Sequence, residues 1–242
     1  YLLVFIFYLS SYLYTMQSIL LLHGAIGAKD QLLPLAEVLK TNYDVHLFNF
    51  IGHGGEEMPD HFSIPLFSQQ VLNWLDNKKI DTISIFGYSM GGYVAMYLAA
   101  KYPGRIRHVM TLATKFQWDE NIAAREVRML DSKKIEEKVP AFAQELELRH
   151  APQSWQLLLD KTIGLLLSLG KDNLLREELI CTITTPVLIM LGDRDKMVSL
   201  EETAAVYKLV PNGRMAVLPG TAHPIEQVSV TRLSFEIGLF MN

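Results

Sequence analysis

The chain of 242 residues has a single cysteine, Cys181, and that scarcity excludes an intramolecular disulfide. It fits a reducing compartment, so a cytoplasmic location is expected. With no Cys-His pattern around it, Cys181 itself reads as a small core hydrophobe. Excess charge of either sign is small as well. The 22 basic residues stand against 26 acidic ones, for a formal net charge of -4, and the basic residues form no dense cluster. That leaves no electrostatic footprint for nucleic acid. His46, His61, His108 and His150 show no spacing that marks a metal site, and they read as surface or packing residues. One apolar run, Tyr1 to Tyr14, stands apart. It is shorter than the roughly 20 residues of a membrane-spanning helix, and it lacks the basic front and small-residue cleavage site of a signal peptide. Three readings compete for residues 1–15: an extra strand or helix packed on the core, the tail of a membrane anchor, or sequence upstream of a start at Met16.

Half of the residues are hydrophobic, enough for one substantial core, and an α/β chain of this length commonly folds as a single domain. Short β-type runs recur at Ile19 to Leu22, Val45 to Phe50, Thr82 to Phe86, Val109 to Ala113, Val187 to Leu191 and Met215 to Leu218. Helical patterns follow them. Between Phe62 and Lys79, for example, Ile64, Phe67, Val71, Leu72 and Leu75 fall at helical spacing and predict a crossover helix. Strand-helix alternation predicts an α/β fold with a mainly parallel sheet flanked by helices. Right-handed crossovers then put every strand C-terminus along one edge, where open α/β sheets bind ligands. The alternation stops after Ala113 and resumes near Thr185. Residues 115–181 therefore read as a helical insertion between two core segments, 16–114 and 182–242. In its most amphipathic part, Trp155, Leu158, Leu159, Ile163, Leu166 and Leu167 form one predicted stripe, with Leu157, Leu165 and Leu169 off it. Packing within the insertion is the preferred role of that helix, and lining an acyl pocket is the alternative.

The chemistry centres on Gly87-Tyr88-Ser89-Met90-Gly91-Gly92. A serine between small residues, after the apolar run Asp81 to Phe86 and before the alanine-rich Tyr93 to Ala100, reads as a nucleophile elbow. In such an elbow the serine occupies a strained strand-to-helix turn, and the glycines let the helix pass close to the strand. A serine hydroxyl is a poor nucleophile at neutral pH, so Ser89 needs a histidine to take its proton and an acid to orient that histidine. Both follow downstream at predicted strand ends. The run Val187 to Leu191 leads into Gly192-Asp193-Arg194-Asp195, and Met215 to Leu218 leads into Pro219-Gly220-Thr221-Ala222-His223. Asp193 and Asp195 are both candidates for the acid, to be separated by their reach to His223.

From Ile19 to the C-terminus the chain resembles the α/β-hydrolase family. The likeness is carried by His23-Gly24 after the first core strand, the elbow at Ser89, Gly-x-x-Asp at Gly192 to Asp195, and Gly-x-x-His at Gly220 to His223, in the order Ser, Asp, His. The resemblance implies an α/β-hydrolase fold in which 115–181 is a helical cap. It implies a triad of Ser89, Asp195 and His223, with Asp195 preferred because the family's acid stands three residues after the glycine. It further implies an oxyanion hole made by the backbone N–H groups of Ala25 and Met90. Gly52-His53-Gly54 matches a loop-shaping turn that is not catalytic, although Asn49, Phe50, Ile51 and Gly55 depart from the family's usual residues there. Tyr88, Phe116 and Trp118 are candidate substrate contacts, with aromatic packing as the alternative.

The resulting expectation is a serine hydrolase that cleaves a carboxylic ester with a small to medium, largely apolar acyl group, through an acyl-enzyme and without metal or organic cofactor. Its partner would be a small-molecule ester or related acyl compound. Membrane association would arise only through residues 1–14. The same triad serves thioesterases, lipases, C–C bond hydrolases, cofactor-free haloperoxidases and a lyase like that of menaquinone biosynthesis, whose elbow commonly reads Gly-Tyr-Ser-Met-Gly-Gly. Architecture does not separate these. Epoxide hydrolases and haloalkane dehalogenases use an aspartate where this chain has Ser89, and are disfavoured. The alternative of another class is a non-catalytic ligand-binding or receptor protein on the same scaffold.

Overall fold

The computed structural model describes residues 16–242, and the expectations for residues 1–15 lie outside the described residues. Six strands form one parallel sheet: β1 (Ser18–Leu22), β2 (Asp44–Phe48), β3 (Ile83–Tyr88), β4 (Ile106–Leu112), β5 (Val187–Gly192) and β6 (Gly213–Leu218). Their order across the sheet is β2-β1-β3-β4-β5-β6, so the winding direction reverses at β1. A parallel sheet needs both faces covered, and the strands are apolar on both sides accordingly. Leu20 and Leu22 of β1 enter one apolar cluster while Ile19 and Leu21 enter the other. Helices α1 (Leu33–Leu39) and α10 (Val230–Met241) cover the second face. Helices α2 (Ile64–Lys78), α3 (Met90–Lys101) and α9 (Leu200–Leu209) cover the first.

All six strands are where the sequence reading put them, with ends displaced by at most three residues, and two of the displacements have a local reason. Strand β4 begins at Ile106, because backbone pairing to β3 includes the polar His108 and, past an irregularity at Arg107, reaches Ile106. Strand β2 ends at Phe48, because Phe50 turns its backbone N–H to the ring of His23. Cys181 is exposed at the end of a short helix, α8 (Glu177–Ile180), and is not a core residue. The neighbouring Ile180 and Ile183 take the buried positions instead.

Four further helices lie between β4 and α8: α4 (Glu120–Glu126), α5 (Ser132–Lys138), α6 (Pro140–His150) and α7 (Trp155–Lys171). The insertion shares its apolar core with the sheet. Phe116, Leu146, Trp155 and Leu158 belong to the same cluster as Phe67 of α2 and Val94 of α3. Helix α7 buries Trp155, Leu158, Leu159, Thr162, Leu165 and Leu169, so the predicted stripe holds in its first half and is rotated in its second. Leu167, placed on the stripe, is exposed, whereas Leu165 and Leu169, placed off it, are buried. Thr162 reads as polar in sequence, but its hydroxyl donates to the Leu158 carbonyl at 2.8 Å and so can enter the apolar face with its donor satisfied. Among the described residues no helix is long and apolar enough to cross a membrane.

Candidate active site

The strand C-termini are level. Leu22 pairs with Gly87, Tyr88 with Leu112 and Gly192 with Leu218, so His23, Ser89, Asp195 and His223 all follow strand ends on one edge of the sheet. Ser89 is the cap residue of α3, with φ 51° and ψ -115°. A non-glycine residue held there carries roughly 1–3 kcal/mol of strain. Hydrogen bonds from the end of β4 offset it: Leu112 O accepts from the Ser89 N–H at 2.8 Å, and Thr114 Oγ1 donates to the Ser89 carbonyl at 3.1 Å. The flanking glycines permit the close approach. A Cβ on Gly87 would lie 2.4 Å from the Gly91 backbone, and one on Gly91 would lie 2.4 Å from the Leu22 carbonyl.

Reach separates the two acids. Asp195 Oδ2 lies 2.8 Å from His223 Nδ1, while its Oδ1 accepts the backbone N–H groups of Met197 at 2.8 Å and Val198 at 2.9 Å. Its side chain is fully buried. Burial alone would raise the carboxyl pKa, but the bonds from His223, Val198 and Met197 outweigh it and hold the group below the ordinary aspartate value. Asp193 instead accepts the Thr221 N–H at 3.1 Å, joining the loop after β5 to the loop after β6. Tyr88 adds a second support for the histidine, its hydroxyl donating to the His223 carbonyl at 3.1 Å. Burial raises the Tyr88 phenol pKa above its usual range, so it stays a donor.

On the opposite side, His23 organises the loop after β1. Its Nε2 accepts the Phe50 N–H at 3.1 Å, so Nδ1 carries the proton and donates to the Gly24 carbonyl at 2.8 Å. Because a peptide is planar and trans, fixing that carbonyl also fixes the Ala25 N–H on the other side of the bond. Met90 is the first residue of α3, and its amide belongs to the N-terminal set that helix geometry leaves unpaired. The Gly52 loop finds supports the sequence did not indicate. Asn49 accepts the Lys29 N–H at 2.8 Å and donates to the Gly54 carbonyl at 3.3 Å, while Gln70 accepts the Ile51 N–H at 2.9 Å. His53 packs among Phe50, Phe62 and Phe67, away from the cavity described next.

Ser89, Met90, Ala25, Tyr88 and His223 line one cavity of about 610 Å³, without a hydrogen bond between the Ser89 and His223 side chains. Trp118 also lines it. Phe116 does not; it is 1 % exposed, in the core, where its N–H donates to Glu202 Oε1 at 2.7 Å. The insertion supplies much of the wall through Thr162, Leu165, Leu166 and Leu169 of α7 and Phe142 of α6. Sequence reasoning missed the groups that fix this wall. His150 Nδ1 accepts the Gly54 N–H at 3.0 Å and its Nε2–H donates to the Ile26 carbonyl at 3.0 Å, tying α6 to the loops that follow β1 and β2. Tyr93 of α3 donates to Asn173 at 2.6 Å, and Asn173 donates to the Phe116 carbonyl at 2.9 Å, which closes the two ends of the insertion on each other.

The profile of the alpha/beta hydrolase fold family matches residues 17–162. The chain belongs to that family. Over 86% of its length this alpha/beta hydrolase is 24% identical to a Bacillus subtilis protein named provisionally as a 2-succinyl-6-hydroxy-2,4-cyclohexadiene-1-carboxylate synthase, of which 84% is covered. It is also 24% identical to a pimeloyl-[acyl-carrier protein] methyl ester esterase of Neisseria meningitidis, with 86% of each chain covered. Among solved structures, a hydrolase from Pseudomonas aeruginosa superposes with a TM-score of 0.78 at 15% identity, over 93% of this chain and 90% of that one. Likeness at that identity shows the shared fold.

Proposed function

We propose that the protein is a serine hydrolase that cleaves carboxylic esters, with Ser89 as nucleophile, His223 as general base and Asp195 as its orienting acid. The observation that carries this reading is the 2.8 Å contact from Asp195 to His223 on the sheet edge where Ser89 sits in its strained elbow. An ionised Asp195 can only accept, so Nδ1 of His223 bears the proton and Nε2 is free to take the one from Ser89 Oγ. Attack on the ester carbonyl then places negative charge on its oxygen, where the backbone N–H groups of Met90 and Ala25 supply preset donors. His223 returns the proton to the departing alcohol, and water repeats the sequence to release the acid. The helices of 115–181 act in this reading as a cap: with Leu165, Leu166 and Leu169 they form an apolar wall for the acyl chain. The relatives that carry esterase or lipase names, including a lipase of Moraxella, point to the same reaction class.

Chromogenic esters of graded acyl length test this reading directly. Wild-type protein is expected to hydrolyse them, and Ser89→Ala to lose on the order of 10⁵- to 10⁶-fold in kcat with an unchanged circular dichroism spectrum. Undiminished turnover in that variant would remove Ser89 from the reaction.

A further inference from the structure

Among the described residues two cations line the cavity, Lys115 and Arg149, and each is already paired. Lys115 Nζ donates to the Met197 carbonyl at 2.5 Å and stands 3.6 Å from Glu126 and 3.9 Å from Glu202. Arg149 donates through Nε to Asp30 at 3.1 Å and through Nη2 to Glu145 at 2.7 Å. The side chains are 10% and 9% exposed, so both are held inside these pairs. Glu126 and Glu145 line the cavity themselves, together with Glu226, whose Oε1 accepts from Gln31 Nε2 at 2.6 Å. Two lining cations thus face three lining carboxylates; Asp30 and Glu202 stand directly against those cations, and Arg125 stands 3.1 Å from Glu126, which makes three cations against five carboxylates. The balance is negative.

A substrate bearing a carboxylate or phosphate would lose hydration on entering this cavity and meet only cations that are already neutralised, whereas Asp30 and Glu145 together outnumber Arg149 and Glu226 is held by the neutral Gln31, so the uncancelled charge it meets is negative. We infer that the site selects esters uncharged in both acyl and alcohol parts and rejects anionic ones, with Glu226 and Glu145 as the charge filter. This inference rests on the ester-hydrolase reading above and narrows its substrate class.

The test is a pair of esters that share a leaving group and nearly share a shape, 4-nitrophenyl hexanoate and the mono-4-nitrophenyl ester of adipic acid. The expected result is a kcat/KM at least about tenfold higher for the hexanoate. Glu226→Gln and Glu145→Gln should each shrink that ratio, by on the order of 5- to 10-fold for a charge several ångströms away. Raising the ionic strength should shrink it too, which a purely steric preference would not do. Equal turnover of the two esters, or preference for the adipate, overturns the charge filter while leaving ester hydrolysis standing. A ratio unmoved by either substitution and by salt also overturns it. Turnover of neither ester overturns the reaction class and the filter together.

Discussion

Asp193 and Asp195 stand two positions apart after the same strand, and what their carboxylates hold gives them different work. Asp195 collects two backbone N–H groups and the His223 ring, whereas Asp193 links one loop to another through the Thr221 N–H. Asp195→Asn is therefore expected to lower kcat by about 10⁴-fold through the wrong histidine tautomer. Asp193→Ala should keep kcat within a few-fold while costing roughly 1–2 kcal/mol of stability, read by urea unfolding. The opposite ranking in ester kinetics would reassign the acid. At this scale the glycine spacing in the sequence already favoured Asp195, and it marked Ser89 and His223 because strand ends on one edge must meet. Tyr88 was legible only as an aromatic beside Ser89. Its hydrogen bond to the His223 carbonyl joins residues far apart in the chain, so no local pattern shows it. Phe116 misled for the same reason: an aromatic at the start of the insertion gives no sign of which side of the cavity wall it occupies.

Helix α6 is tied to the sheet edge through a polar residue. His150 joins it to the Ile26 carbonyl and the Gly54 N–H, two loop atoms on the sheet's working edge. His150→Leu would remove the partner of both of these partly buried groups, at a cost of roughly 1–3 kcal/mol. Urea unfolding should show that loss, and limited proteolysis should then cut first within residues 115–181; unchanged stability would mean that apolar packing, not His150, holds α6 to the core. Periodicity made α2 legible from Ile64 to Leu75, because its apolar residues form a single face. In the second half of α7 it fails, since leucines surround the helix and the face that is buried depends on where α4 and α6 pack. A hydroxyl satisfied within the helix, as in Thr162, then counts as apolar surface.

Across the molecule, three buried histidines join the sheet edge to the insertion. His23 and His53 lie 5.1 Å apart, and His53 and His150 lie 6.1 Å apart, between ring centres. Burial lowers the pKa of all three, that of His23 to about 4, and His53 Nε2 has no hydrogen-bond partner among the described residues. The unfolded chain binds these protons near pH 6.5, whereas the folded chain takes up the one on His23 only near pH 4. Stability should therefore be full above about pH 6.5 and fall progressively as the pH drops toward 4, with His23 alone contributing on the order of 3 kcal/mol of the loss. Asp195, whose pKa is lowered, adds a separate loss at still lower pH as its carboxylate is protonated. Urea midpoints at pH 7, 5.5 and 4.5 measure the histidine window, and a flat profile would show that the three rings are not held neutral by the fold. The claim on which the whole account depends is that His223 and Asp195 make Ser89 a nucleophile. Fluorophosphonate labelling followed by peptide mapping tests it most directly: one adduct is expected, on Ser89, absent in Ser89→Ala and formed far more slowly in His223→Ala. Labelling at another residue, or equal labelling of all three proteins, would contradict it.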